Sequence, residues 1–294
     1  MSELGRRVAV AAVGIPAVLG LVYLGGWFLG VPLAVMSGWA AHECYRFARQ
    51  KQVEPVEWIG VPLAASLVLL AQGWSTFQAM APYALGLVGL ATVASLLAVM
   101  VLRGPDGHPL GAASTTVTGA LYVGLPLSFA PLLHHLPDRL AWSEPQDPMA
   151  GLVVLALPLA ATWMGDAAAY FAGSAWGRGR ARLAPGISPN KSWVGFWGGV
   201  LGAAAAAALW YGVAVRMLPG LDVGGLLPLV ASGAVLGVAA VLGDLVESLL
   251  KREAGVKDSG AVFPGHGGVM DRIDSLIFTI PVAYLVLVTA AGAW

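Results

Sequence analysis

Charge is scarce in these 294 residues: Asp, Glu, Lys and Arg together make up 11% of the chain, under half the usual quarter. The formal net charge is zero, which removes the basic surface that a nucleic-acid partner would need. A single cysteine, Cys44, excludes an internal disulfide and any multi-cysteine metal site. The chain has 5 histidines, and only His266 falls in the polar loops described below, which argues against zinc. No period of 20–50 residues marks a repeat architecture, and the chain is too apolar for disorder.

Hydrocarbon is abundant instead. Hydrophobic residues reach 58%, against 45–50% in ordinary soluble domains. Long apolar runs lie near 8–24, 26–42, 57–73, 80–102, 115–133, 149–172, 194–215, 226–250 and 273–292. A spanning helix needs roughly 20 apolar residues, so nine such runs leave no room for a separate soluble domain. The expected fold is all-α: a polytopic integral membrane protein of about nine transmembrane helices. Gly25-Gly26 alone separates the first two runs, which predicts a tight helical hairpin. Met1 to Arg7 ahead of an apolar run imitates a signal peptide, but no small-residue cleavage site is obvious. Gly198-Gly199, Gly202 and Ala203 to Ala208 form small-residue faces suited to close helix packing in lipid.

Lysine and arginine set the expected orientation. With the N-terminus inside and the connections alternating, Arg139 and Arg216 alone fall outside, leaving 14 of the 16 Lys+Arg on the inner side. That is the positive-inside pattern, and it puts the C-terminus outside. The first five spans, residues 1–148, read as a lipid-facing scaffold. Residues 149–294 read as a catalytic region, because the cytoplasmic loops 174–192 and 251–272 hold nearly everything reactive. His42, Glu43 and Cys44 close the second run, but adjacent positions diverge around a helix, so these read as interfacial residues.

The eighth run ends with Asp244, Glu247, Ser248 and Lys251 at i, i+3, i+4 and i+7, on one helical face. Carboxylates within a span cost about 2.5–3.5 kcal/mol at its centre, so they face protein, water or a ligand. The following loop carries Arg252, Lys257, Asp258, then Gly265, His266, Gly267 and Gly268, then Asp271, Arg272 and Asp274. Its glycines allow positive φ and close approach to a ligand, and successive N–H groups there can form an anion-binding nest. Asp271 and Asp274 stand at the start of the ninth helix, where an acid either caps the helix or serves chemistry. The sixth run adds Asp166 and Tyr170 one turn apart, and its loop adds Ser188-Pro189-Asn190-Lys191-Ser192, which also reads as an ordinary turn. Arg178, Arg180 and Arg182 serve equally well as topological markers. Hard carboxylates suit Mg²⁺ and Lys and Arg suit phosphates. The chemistry that needs both is phosphoryl or nucleotidyl transfer, and its place in a membrane implies a lipid substrate.

Ser248-Leu249-Leu250-Lys251-Arg252, Lys257-Asp258, Pro264 to Gly268 and Asp271-Arg272-Ile273-Asp274 resemble the signature of the phosphatidate cytidylyltransferases, also called CDP-diacylglycerol synthases. The match covers about 27 residues with every fixed position filled. Asp166 to Gly173 and Ser188 to Ser192 resemble weaker motifs of the family, with Ala167 and Asn190 at positions where it commonly has a hydroxyl residue and a lysine.

The resemblance implies the reaction CTP + phosphatidate → CDP-diacylglycerol + pyrophosphate, dependent on Mg²⁺ alone or with a second cation. It also implies a homodimer in the plasma (inner) membrane with its active site facing the cytoplasm. The expected metal ligands are Asp244 and Asp271, with Asp258 and Asp274 as helpers and Lys251 among the catalytic groups. Lys251, Arg252, Lys257 and Arg272 are expected to hold the triphosphate or the lipid phosphate. The Gly265 to Gly268 loop would follow the nucleotide, with His266 on a phosphate. Asp166, Tyr170, Ser188, Lys191, Glu247 and Ser248 complete the expected substrate contacts. Two other readings fit part of the pattern. A secondary transporter would use Asp166, Asp244 and Glu247 as ion sites, yet transporter sites lie near the midplane within inverted repeats. A related enzyme would use CTP on another lipid.

Overall fold

The computed structural model describes residues 3–145, 147–262 and 267–292. Helices occupy all nine apolar runs: α1 Glu3–Leu24, α2 Gly26–Gln50, α3 Glu57–Gly73, α4 Phe77–Leu102 and α5 Pro109–His134. After the short α6 Leu136–Arg139 come α7 Pro148–Trp176, α8 Trp193–Met217, α9 Leu226–Ala254, the short α10 Met270–Ile273 and α11 Leu276–Ala290. Six stretches are long and apolar enough to cross a bilayer, namely α4, α5, α7, α8, α9 and Met270–Ala290. In α1 the apolar stretch is shorter, Gly14–Leu24, and α3 has 17 residues. Polar side chains from His42 to Gln50 dilute the end of α2. The protein is a polytopic membrane protein.

One element departs from an all-helical reading. Arg182–Ala184 (β1) pairs antiparallel with Ser188–Ser192 (β2), with Arg182 opposite Ser192 and Ala184 opposite Ser188. Pro185 and Gly186 form the turn, closed by the Ile187 N–H donating to Ala184 O at 3.1 Å. Proline's fixed φ suits the second position of such a turn. The segment Ser188 to Ser192 is therefore a strand of a small hairpin.

The chain divides into two compact units, Met1–Leu132 with Leu250–Ile273, and Leu133–Leu249 with Asp274–Trp294. The first unit is organised around Tyr45, which is fully buried and donates to Thr116 O at 2.6 Å. The Thr116 hydroxyl accepts from Val56 N (2.8 Å) and donates to Ala112 O (2.7 Å), so it satisfies groups on two segments at once. Ser37 donates to Ala64 O at 3.0 Å and fixes α2 against α3.

In the second unit α7 and α8 pack backbone against backbone. A Cβ on Gly198 would meet Ala172 and Ala168, and one on Gly202 would meet Ala168 and Met164. This is the close small-residue packing expected of these positions. Trp210 Nε1 donates to Val153 O at 2.5 Å, and the Thr162 and Thr279 hydroxyls lie 3.1 Å apart, tying α7 to α8 and to α11.

Candidate active site

The residues singled out in the sequence fall into two clusters, one in each unit. The second unit holds an open cleft of about 460 Å³, lined among others by Asp166, Tyr170, Asn190, Lys191, Phe196 and Asp244. That volume is in the range of small-molecule pockets. Lys191 Nζ lies 2.6 Å from Asp244 Oδ2. Lys191 precedes Ser192, whose hydroxyl accepts from Gly195 N at 3.1 Å and caps α8. One turn along α9, Ser248 Oγ donates to Asp244 Oδ1 at 3.2 Å. Glu247 is fully buried, and neither it nor Ser188 or Ser248 lines the cleft. Asp274 Oδ1 accepts from Ser275 N at 2.6 Å, a local bond at the start of α11.

The first unit holds the other cluster. Lys251 Nζ lies 2.7 Å from Asp271 Oδ1, and both side chains are largely buried. Asp271 Oδ2 accepts from Ser259 N (2.9 Å), Ser259 Oγ (3.0 Å) and Gly268 N (2.7 Å). Beside it stands a second carboxylate that the sequence reading passed over. Glu43 Oε1 accepts from Val269 N (3.1 Å), and Oε2 from Met270 N (2.8 Å) and Ser259 Oγ (2.8 Å). With 1% of its surface exposed, Glu43 is a core residue and not an interfacial one. Its neighbours His42 and Arg49 instead pair with Glu57.

Gly267 takes the expected positive φ, 79°. Gly268 serves differently, because a Cβ there would collide with Ser259 and Glu43. The N–H groups of Ser259, Gly268, Val269 and Met270 all point at the protein's own carboxylates, so the anion in this nest is internal. Arg252, Lys257, Asp258 and Arg272 are exposed. Gly265 and His266 lie outside the described residues.

Among the described residues no three of His, Cys, Asp and Glu converge on a metal-binding arrangement. Mg²⁺ needs no such cage: it keeps several waters and takes one or two carboxylates together with substrate phosphates. Asp244 and Asp271 each offer hard oxygens and each already balance one lysine, so the donor chemistry fits that ion. Ser259 was visible in the sequence as part of the polar loop. Glu43 stands between His42 and Cys44 at the polar end of α2, where its neighbours gave no signal that set it apart.

Polytopic helices with clustered carboxylates and lysines are the features that a membrane-embedded enzyme of phosphate transfer requires. Comparison with known proteins makes the class specific. The model of the cytidylyltransferase family matches residues 5–290. The phosphatidate cytidylyltransferase of Synechocystis sp. is 32% identical over 300 residues, covering 96% of each chain. That of Bacillus subtilis is 29% identical over 287 residues, covering 98% of each. That of Haemophilus influenzae is 44% identical over 137 residues, 46% of each chain. The chain belongs to the phosphatidate cytidylyltransferase family, and is therefore a nucleotidyltransferase.

Proposed function

We propose that the chain transfers CMP from CTP to phosphatidate, giving CDP-diacylglycerol and pyrophosphate for phospholipid synthesis, by Mg²⁺-assisted direct displacement at the cytoplasmic membrane face. The observation that carries this reading is the Lys191–Asp244 pair in an open cleft with Asp166, a lysine and carboxylates presented together. The relatives' names supply the two substrates.

In the proposed reaction a phosphate oxygen of phosphatidate attacks the α-phosphorus of CTP. The bond from that phosphorus to the bridging oxygen of the β-phosphate breaks, and pyrophosphate leaves. The nucleophile is already anionic, so no strong general base is required. Lys251, Arg252, Lys257, Arg272 and Lys191 bind phosphate charge. Gly267, Gly268 and His266 lie along the nucleotide, and Ser188, Tyr170, Glu247 and Ser248 support the substrate contacts. Asp244 and Asp271 are the proposed metal ligands, with Asp258 and Asp274 as helpers. Bound Mg²⁺, alone or with a second cation, supplies neutralisation of the phosphate oxygens.

Residues 149–294 carry most of the chemistry on this reading and 1–148 the scaffold. The chain crosses the plasma membrane nine times with its N-terminus inside, and it works as a homodimer.

The test is purified full-length protein with CTP, Mg²⁺ and a panel of lipid phosphates. Product with phosphatidate and none with a polyprenyl phosphate supports the reading; the reverse defeats it.

A further inference from the structure

We propose that Glu43 is a positioning residue for cytidylyl transfer: its buried carboxylate locks the turn Gly268–Met270 and, through Ser259, holds Asp271 in place. The inference rests on the reading of Asp271 as part of the catalytic machinery.

Four features support it. Glu43 is almost wholly buried, and a buried carboxylate persists only where donors satisfy it. Its donors come from the signature loop: the Val269 and Met270 N–H groups and the Ser259 hydroxyl. Second, the chain leaves room for it. A Cβ on either Gly260 or Gly268 would strike the Glu43 carboxylate, so two glycines of the loop are accounted for by this one side chain.

Third, Ser259 joins the two acids. Its oxygen lies 2.8 Å from Glu43 Oε2 and 3.0 Å from Asp271 Oδ2, and it accepts from Asp271 N at 3.3 Å. A hydroxyl has one proton to donate, so Ser259 serves the two carboxylates in turn while backbone N–H groups hold each of them permanently. Fourth, the donor pattern requires a carboxylate and not merely its shape. Both Glu43 oxygens accept from backbone N–H groups, so a glutamine in either orientation sets its NH₂ against a donor. Charge-assisted bonds of this kind are roughly twice as strong as neutral ones, which suits a residue that must keep a loop in one conformation.

The test compares full-length Glu43→Gln, Ser259→Ala and Asp271→Asn with the parent, using Glu144→Gln as an exposed control. The first readout is amide hydrogen exchange across residues 267–273. The second is the Mg²⁺ concentration giving half-maximal transfer. In Glu43→Gln the Val269 and Met270 amides should exchange at least 10-fold faster. Turnover should fall at least 10-fold, and half-saturation by Mg²⁺ should rise at least fivefold. A Glu43→Gln protein with parental exchange, turnover and Mg²⁺ dependence overturns the proposal.

If that variant cannot be purified folded, Ser259→Ala decides. A threefold or greater rise in Mg²⁺ half-saturation with faster exchange supports the proposal, and no change in either overturns it. Full activity in Asp271→Asn would instead remove the reading of Asp271. Exchange in Glu43→Gln would then still report whether Glu43 holds the turn.

Discussion

Asp244 and Asp271 each face a lysine, yet they do so in different surroundings. The Asp244 side chain is 36% exposed in its cleft, and the Asp271 side chain is 7% exposed with donors on both oxygens. Exposed ion pairs contribute about 0–1 kcal/mol, whereas breaking a buried pair costs about 3–5 kcal/mol. Asp244→Asn should therefore lower turnover at least 100-fold while the melting temperature moves little. Asp271→Asn should lose turnover and several degrees of thermal stability together, both read on the purified protein with a thermal-shift assay beside the activity assay. Lys191→Ala should raise the KM for a phosphate-bearing substrate more than tenfold, measured with each substrate varied in turn. The sequence made these residues legible because charge is rare in this chain and i, i+3, i+4 spacing stacks it. It misplaced Glu43 because a helix face cannot be assigned before the partner segment is known. The donors to Glu43 lie more than 200 residues away.

Elements were legible wherever a long apolar run met the helical period. The hairpin of β1 and β2 was not, because Ser188-Pro189-Asn190-Lys191-Ser192 shows no alternation of apolar and polar residues. Its strand exists through local pairing with Arg182–Ala184 across the turn at Pro185-Gly186, a partner that the segment's own pattern does not show. Close packing of α8 was legible from its glycines and alanines, whereas its partner α7 was not. Gly202→Leu should cost about 1–3 kcal/mol as overpacking. Leu201→Ala, at a side chain 69% exposed, should change stability far less. Thermal denaturation in one detergent would separate the two.

For the whole molecule, the distribution of lysine and arginine makes the sharpest claim. In a protein with Cys44 replaced by alanine, cysteines placed at Gly107 and Ser188 should label only from the cytoplasmic side. One at Asp222 should label only from outside. Outside labelling at Ser188 would overturn the nine-span arrangement and put Lys191 in the wrong compartment for CTP. Direct displacement makes a second claim. Labelled pyrophosphate should enter CTP only when phosphatidate or CDP-diacylglycerol is present. Exchange with CTP and Mg²⁺ alone, in delipidated enzyme, would point to a covalent nucleotidyl-enzyme on Lys251, Lys257 or His266.

The bond between Glu43 and Ser259 also sets a timetable for biosynthesis. The two residues are 216 positions apart, and at about 5–20 residues per second the ribosome takes roughly 10–40 s to cover that distance. Throughout that interval the acid on α2 exists and the donors that will bury it do not. A desolvated carboxylate without donors costs several kcal/mol, so until the chain has grown past Met270 the group at position 43 must meet water or hold a proton. Burial of Glu43 is thus a late event of maturation. With Cys44 replaced by alanine, a nascent chain arrested before residue 259 should leave a cysteine at position 43 open to an aqueous thiol reagent, and release of the finished chain should close it.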